Sequence, residues 1–367
     1  MRRAATLFAV CSLLGCAQPR QDVVVYPASQ PPPLLSQWRV VLARKHRLEL
    51  NTGVIPYELN APLFSDYALK LRTIWLPPGS QADYDAGREF EFPVGTIISK
   101  TFYYEKADDW APARQAVVMT DRPHELPPAA FLPTDQYLLL ETRLLVRYAD
   151  GWHAYPYVWN AAQDDATLEI AGDVRALELV STTDRQTINY LVPDANQCGG
   201  CHTPDHSAAE LRPLGPKAWQ LNRPYAWWGD AENQLRHWTA AGLLRGAPAE
   251  LPALPVAAQW RVRAYLDANC AHCHNPVGAA DTSALHLNIE SPVDRHYGVC
   301  KTPVAVGRGS GDRPYDIYPG RPDDSILLYR MQHADPAIAM PELGRSAIHR
   351  EGVAMVRAWI TELPGEC

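Results

Sequence analysis

The sequence predicts a multidomain chain: an N-terminal mostly-β, β-sandwich-like domain followed by two small α-helical domains. Three observations carry that expectation. Residues 56–192 are rich in β-branched and aromatic residues, punctuated by Pro-Gly, Val-Gly and Asp-Gly turn signals. From residue 198 onward the apolar pattern turns helical. And "QCGGCH" (197–202) returns 72 positions later as "NCAHCH" (269–274), one copy for each helical domain.

The elements follow in order. Arg2 and Arg3 open a basic stretch, and Ala4 to Leu14 form an apolar run too short to span a bilayer, which reads as an export signal. Leu13-Leu14-Gly15-Cys16 resembles a bacterial lipobox, which makes residues 1–16 a lipoprotein signal peptide and Cys16 the lipidated first residue of the mature chain. Ala17 behind it favours the outer membrane. Residues 17–35 contain "PASQPPPLL" and read as an extended proline-rich tether. An amphipathic helix fits residues 38–50. The β-rich domain is bounded at 36–192, with 106–135 as a loop-like excursion. Residues 193–256 and 257–367 are the two helical units, with helices expected at 231–244, up to the second motif, at 323–332 and at 350–363.

Composition excludes some partners. With 34 basic against 41 acidic residues the formal charge is −7, so nucleic acid is not a natural partner and a redox partner protein is. Of eight cysteines, Cys11 leaves with the signal, Cys16 takes lipid and four lie in the repeated motif. Cys300 and Cys367 remain, and a disulfide between them suits an oxidising compartment.

The repeated motif carries the chemistry. Cys198, Cys201 and His202, and again Cys270, Cys273 and His274, are each a C-x-x-C-H, the pattern of c-type haem attachment. Two thiols on one helical turn reach the two vinyl groups of a haem, and the next residue presents an imidazole to the iron. The rival readings are a zinc site pooling ligands from both motifs, which needs four protein ligands, and a redox dithiol, which wants a βαβ context. Two copies in an exported chain favour two covalently bound haem c groups. Met340, in the proline-flanked loop "PAIAMPEL", is the candidate sulfur ligand of the second haem. Met331 and Met355 fall on apolar helix faces and read as core. Between residues 203 and 269 there is no methionine. His206 lies too near His202 to reach the opposite haem face, which leaves His237 as local candidate for the first haem. Met119, His124 or His153 crossing from the β domain, or an open iron, are the alternatives.

"YPGRPDDSILLYRM", "AMPEL" and "VRAWITEL" resemble the end of a bacterial cytochrome c domain, and that resemblance also puts Met340 on the iron. "APLFSDYALKLRTIWLPPG", "FPVGTIISKTFYY", "YLDANCAHCHNP" and "GVCKTPVAVGRGSG" are similar to stretches of a family of largely uncharacterised proteobacterial diheme c-type cytochromes, often lipoproteins. The likeness covers most of residues 56–362 and implies two α-helical cytochrome c domains behind the β domain. "LRPLGPKAWQLN" resembles the turn whose proline carbonyl steadies the proximal imidazole, which implies Pro216 as partner of His202. The charges of "SDYALKLR" and "ETRLL" read as buried structural pairs. Together these imply a lipid-anchored periplasmic electron carrier and not an enzyme. The alternative is a diheme peroxidase-like enzyme with an open first haem.

Overall fold

Alternating and fully apolar runs become strands wherever a second layer is available to cover them. A computed structural model describes residues 22–120, 131–208, 210–226, 231–304 and 307–367. The first strands are β1 (Val41–Arg44), β2 (Arg47–Leu50), β3 (Ile55–Tyr57), β4 (Leu69–Trp75), β5 (Ala82–Asp83), β6 (Ile97–Glu105) and β7 (Ala116–Val118). They are followed by β8 (Phe131–Pro133), β9 (Tyr137–Tyr148), β10 (Gly151–Trp159), β11 (Ala166–Leu168), β12 (Asp173–Val180) and β13 (Arg185–Val192). Beyond them lie α1 (Gln197–His202), α2 (Ala218–Leu221), β14 (Pro224–Tyr225), β15 (Glu232–Asn233), α3 (Gln234–Ala240) and β16 (Leu244–Arg245). The C-terminal part holds α4 (Ala258–Asn269), α5 (Ile326–Met331) and α6 (Arg350–Glu362).

The centre is a six-stranded antiparallel sheet in the order β11-β10-β9-β6-β4-β3. One face, with Leu71, Ile97, Leu144 and Tyr157, packs under the small sheet β1-β2-β8 and buries Trp38 completely. Trp38 Nε1 donates to the Tyr157 hydroxyl at 2.6 Å, so the indole keeps its hydrogen bond inside the core. The other face is shared. At one end, Phe102, Tyr104 and Leu140 meet Leu177, Leu179 and Tyr190 of the β13-β12-β7 sheet. At the other, Ile74 and Ile98 pack with Leu221, Leu235 and Trp238 from beyond residue 193.

The structure corrects four expectations. Residues 38–50 are not a helix: a 3₁₀ turn (Leu35–Trp38) leads into the β1-β2 hairpin, closed at Lys45 and His46 with His46 at φ 63°. Val41 and Leu48 are thereby delivered to the sheet, and tertiary burial overrides a helical pattern. The proline-rich segment, from Val23 on, lies along the sheet, where Tyr148, Tyr155 and Tyr157 donate to the carbonyls of Tyr26, Ala28 and Pro32. The excursion 106–135 contributes β7 and β8. The signal and Cys16 lie outside the described residues.

The fourth correction concerns the fold class. A β domain followed by two small α-helical cytochrome c domains is not what forms: the described chain is mostly β with six short helices. Helices α1, α2 and α3 have six, four and seven residues, too few turns to be stable alone or to enclose a core. The apolar side chains of α2 and α3 are buried against the sheet instead, and β16 pairs in parallel with β5. Among the described helices, only α4, α5 and α6 gather a core of their own, around Val262, Leu266, Leu328, Val356 and Ile360. Among the described residues, no helix is long and apolar enough to cross a membrane.

Candidate functional site

The Asp194 carboxylate sets up the first motif by accepting the amides of Asn196 and Gln197, both at 2.8 Å, at the entrance to α1. That single turn holds Cys198, Cys201 and His202. The second motif continues from α4: the amides of Cys273 and His274 both return to the Cys270 carbonyl, at 3.1 and 2.9 Å. The two motifs pack together. Cys273 Sγ lies 3.5 Å from the Gly200 carbonyl oxygen, and the His206 amide donates to the Val277 carbonyl at 2.8 Å.

Hydrogen bonding sets the tautomer of both motif histidines. His202 Nδ1 is 2.8 Å from the Arg212 carbonyl oxygen, which can only accept, so Nδ1 carries the proton and Nε2 is bare. The partner is Arg212 and not Pro216. The Arg212 amide returns to the His202 carbonyl at 2.6 Å, so the ring and its loop are locked reciprocally. His274 Nδ1 is 3.2 Å from Ser283 Oγ, whose own proton goes to the Ala280 carbonyl at 2.6 Å. The hydroxyl therefore accepts from His274, and that Nε2 is bare as well. Burial holds His202 down at about 3, with the Lys100 charge adding to it, and holds His274 down at about 4. Both rings stay neutral, as a metal-ligating imidazole must.

The four motif cysteines are free thiols, whereas Cys300 and Cys367 are bonded with their Cα atoms 5.3 Å apart. Burial raises Cys270 to about 12 and Cys273 to about 11, and pushes Cys198 and Cys201 up as well.

Two connected hollows lie between the motifs and the central sheet. The narrower, about 100 Å³, is lined by Cys198, Cys201, His202, Cys270 and Met340. The wider, about 480 Å³, is bounded by His202, His272, Lys100, Arg72 and Lys217, and falls within the ~300–1,000 Å³ of ordinary cofactor sites. Arg345 holds the Met340 loop over the first: it donates to the carbonyls of Met340, Arg330, His333 and Ala347. Met331 touches the same hollow from the α4–α6 core.

The other candidates are dispersed. His237 stands on α3 beside Glu232 and lines neither hollow. His153 pairs with Asp150 at the sheet end, and Met119 packs in the β12-β13 core. His124 lies outside the described residues. Sequence reading missed His272 and Lys100. His272 was visible as an extra imidazole inside "CAHCH", and its Nδ1 is buried with no hydrogen-bond partner among the described residues. Arg143, read in "ETRLL" as half of a buried charge pair, does pair with Glu141 at 2.6 Å, but only strand pairing brings it and Lys100 to the motifs.

No protein-family model matches the chain, and neither a curated protein nor a solved structure does. The likeness to a family of diheme cytochromes is therefore corrected: no match supports it, and among the described residues the two small α-helical cytochrome domains it implies do not form. Among the described residues no group of three or more His, Cys, Asp or Glu side chains is arranged to hold a metal ion. Short motifs encode local chemistry that many folds can carry, so their presence does not fix a family.

Proposed function

We propose that the chain attaches two haem c groups, at Cys198, Cys201 and His202 and at Cys270, Cys273 and His274, and passes single electrons between redox partner proteins. The observation that carries this reading is the state of the two histidines. Each follows a free dithiol on one turn, is neutral, and has Nδ1 committed and Nε2 bare. A haem supplies one-electron iron chemistry and four nitrogen ligands of its own. It asks the chain for one imidazole at each centre and not for a three-ligand cluster. The protein's part is to hold each imidazole through Arg212 and Ser283, to offer Met340 as a sulfur ligand, and to exclude water with the sheet. Contact between the motifs supports exchange between the two centres. An export signal and lipid on Cys16 would put this work on the periplasmic side of a bacterial membrane.

The test is the haem content of chain produced in a host that matures c-type cytochromes. Colour should stay with the polypeptide after acid–acetone extraction, and the mass should exceed that of the bare chain by two haems. Replacing Cys198 and Cys201 by alanine should remove one haem, as should replacing Cys270 and Cys273. Zinc in place of iron, or loss of all colour on extraction, would overturn the proposal. Carbon monoxide binding at one haem, with turnover of hydrogen peroxide, would make the protein a peroxidase-like enzyme instead.

A further inference from the structure

The face of the central sheet turned toward the motifs carries an unusual row. Arg72 on β4 is registered directly opposite Lys100 on β6, and Lys100 directly opposite Arg143 on β9. Like charges facing one another across adjacent strands repel, and a half-buried setting sharpens the repulsion. Two of the three cations are neutralised. Arg72 Nη1 lies 3.3 Å from Glu58 Oε2. Arg143 forms a fork to Glu141 at 2.7 and 2.6 Å, and Glu141 also accepts from the Tyr190 hydroxyl at 2.7 Å.

Lys100 is the charge left over. Among the described residues no carboxylate lies within ion-pair distance of it, and its ammonium stands 5.5 Å from the Phe102 ring centroid. A surface lysine can usually snorkel to water. Lys100 is on an inner strand of the six, away from either sheet edge, and its side chain lines both hollows beside His202. Burial, then the charges of Arg72 and Arg143, draw it down to about 7. Of the three cations in the row, Lys100 alone lacks a carboxylate partner, and it lines the space where the first motif's thiols and imidazole converge.

We propose that Lys100, flanked by Arg72 and Arg143, receives a propionate carboxylate of the haem carried by Cys198 and Cys201. The assignment rests on the haem reading above. A haem brings carboxylates to this space on the same group that the thiols anchor. A carboxylate would give Lys100 the partner that Arg72 and Arg143 already have, and an ammonium-to-carboxylate hydrogen bond is of the strong, charge-assisted kind.

The test uses the haem-loaded protein with Lys100→Gln and Lys100→Arg, reading haem per chain, the propionate-bending vibration by resonance Raman, and both midpoint potentials. Haem content should remain two per chain in both variants. Lys100→Gln should shift the propionate band and lower one potential only, because a positive charge beside that haem no longer favours the reduced form. Lys100→Arg should keep that potential near the parent's while still moving the band, since the donor geometry changes. If Lys100→Gln does not fold, the band in Lys100→Arg decides alone. An unmoved band in the variant examined overturns the assignment, as does conversion of one haem to high spin, which would make Lys100 an axial ligand. A parent protein without covalent haem would instead sink the underlying reading, so the two failures are told apart.

Discussion

Replacing Arg345 by lysine should destabilise the protein by about 3 kcal/mol while leaving its charge intact. The guanidinium reaches four carbonyl oxygens: Met340 at 2.6 and 3.1 Å, His333 at 2.9 Å, Arg330 at 3.2 Å and Ala347 at 3.3 Å. Asp66 Oδ1 accepts the amides of Ser346 and Ala347, each at 2.6 Å, and ties the same loop to the sheet. A lysine ammonium, with one nitrogen, can satisfy about two of the four carbonyls. Hydrogen bonds to a charged group are each worth ~1.5–3 kcal/mol net, and water can replace part of the loss in a half-buried loop, so the lower figure applies to each of the two lost. Arg345→Met removes all four and should cost about 6 kcal/mol at the same ~1.5 each, above the usual range for a single substitution. Urea unfolding read by tryptophan fluorescence measures both, with an unchanged slope showing that the unfolded state is not altered. A loss below about 0.5 kcal/mol for Arg345→Lys would mean that the fork geometry does not hold the loop.

Three further outcomes are expected. Trp238→Ala should cost ~3–5 kcal/mol, because the indole is fully buried and meets Tyr57 edge-on at 5.9 Å; differential scanning calorimetry should show the transition containing the β sheet move with it, which an independent helical domain would not produce. Replacing Cys300 and Cys367 by serine should cost about 4 kcal/mol by the loop-entropy relation, given a sequence separation of 67, and a denaturant midpoint equal to the parent's would refute it. In chain produced without haem, Lys100 has a folded value of about 7 against about 10.4 unfolded. The unfolded chain then binds the extra proton between those values, so this group makes stability rise with pH across that window and fall as pH drops toward 7. Lys100→Met should flatten the rise between pH values of about 7 and 9 in urea titrations, and an unchanged slope would contradict it.

Local chemistry was determined by the sequence alone. The two C-x-x-C-H motifs need only one helical turn each to assemble, so spacing was sufficient to name Cys198, Cys201, His202, Cys270, Cys273 and His274. The strand-rich character of 56–192 was legible for the same reason: alternation and turn residues act over a few positions. Partnership between distant segments was left to the tertiary structure. Residues 38–50 have a pattern that a helix could use, and the bare sheet face over Leu71 and Ile97 made them a hairpin. Helices α2 and α3 are too short to bury one another, so Leu221, Leu235 and Trp238 went to the sheet, and only α4, α5 and α6 among the described helices share a core. His202 found its carbonyl at Arg212 because that loop folds back beside it, which no periodicity records. The meeting of Lys100 with Arg72 and Arg143 depends on strand register, and a shift of one residue would send Lys100 to the opposite face. Only the paired sheet decides that this charge faces the motifs.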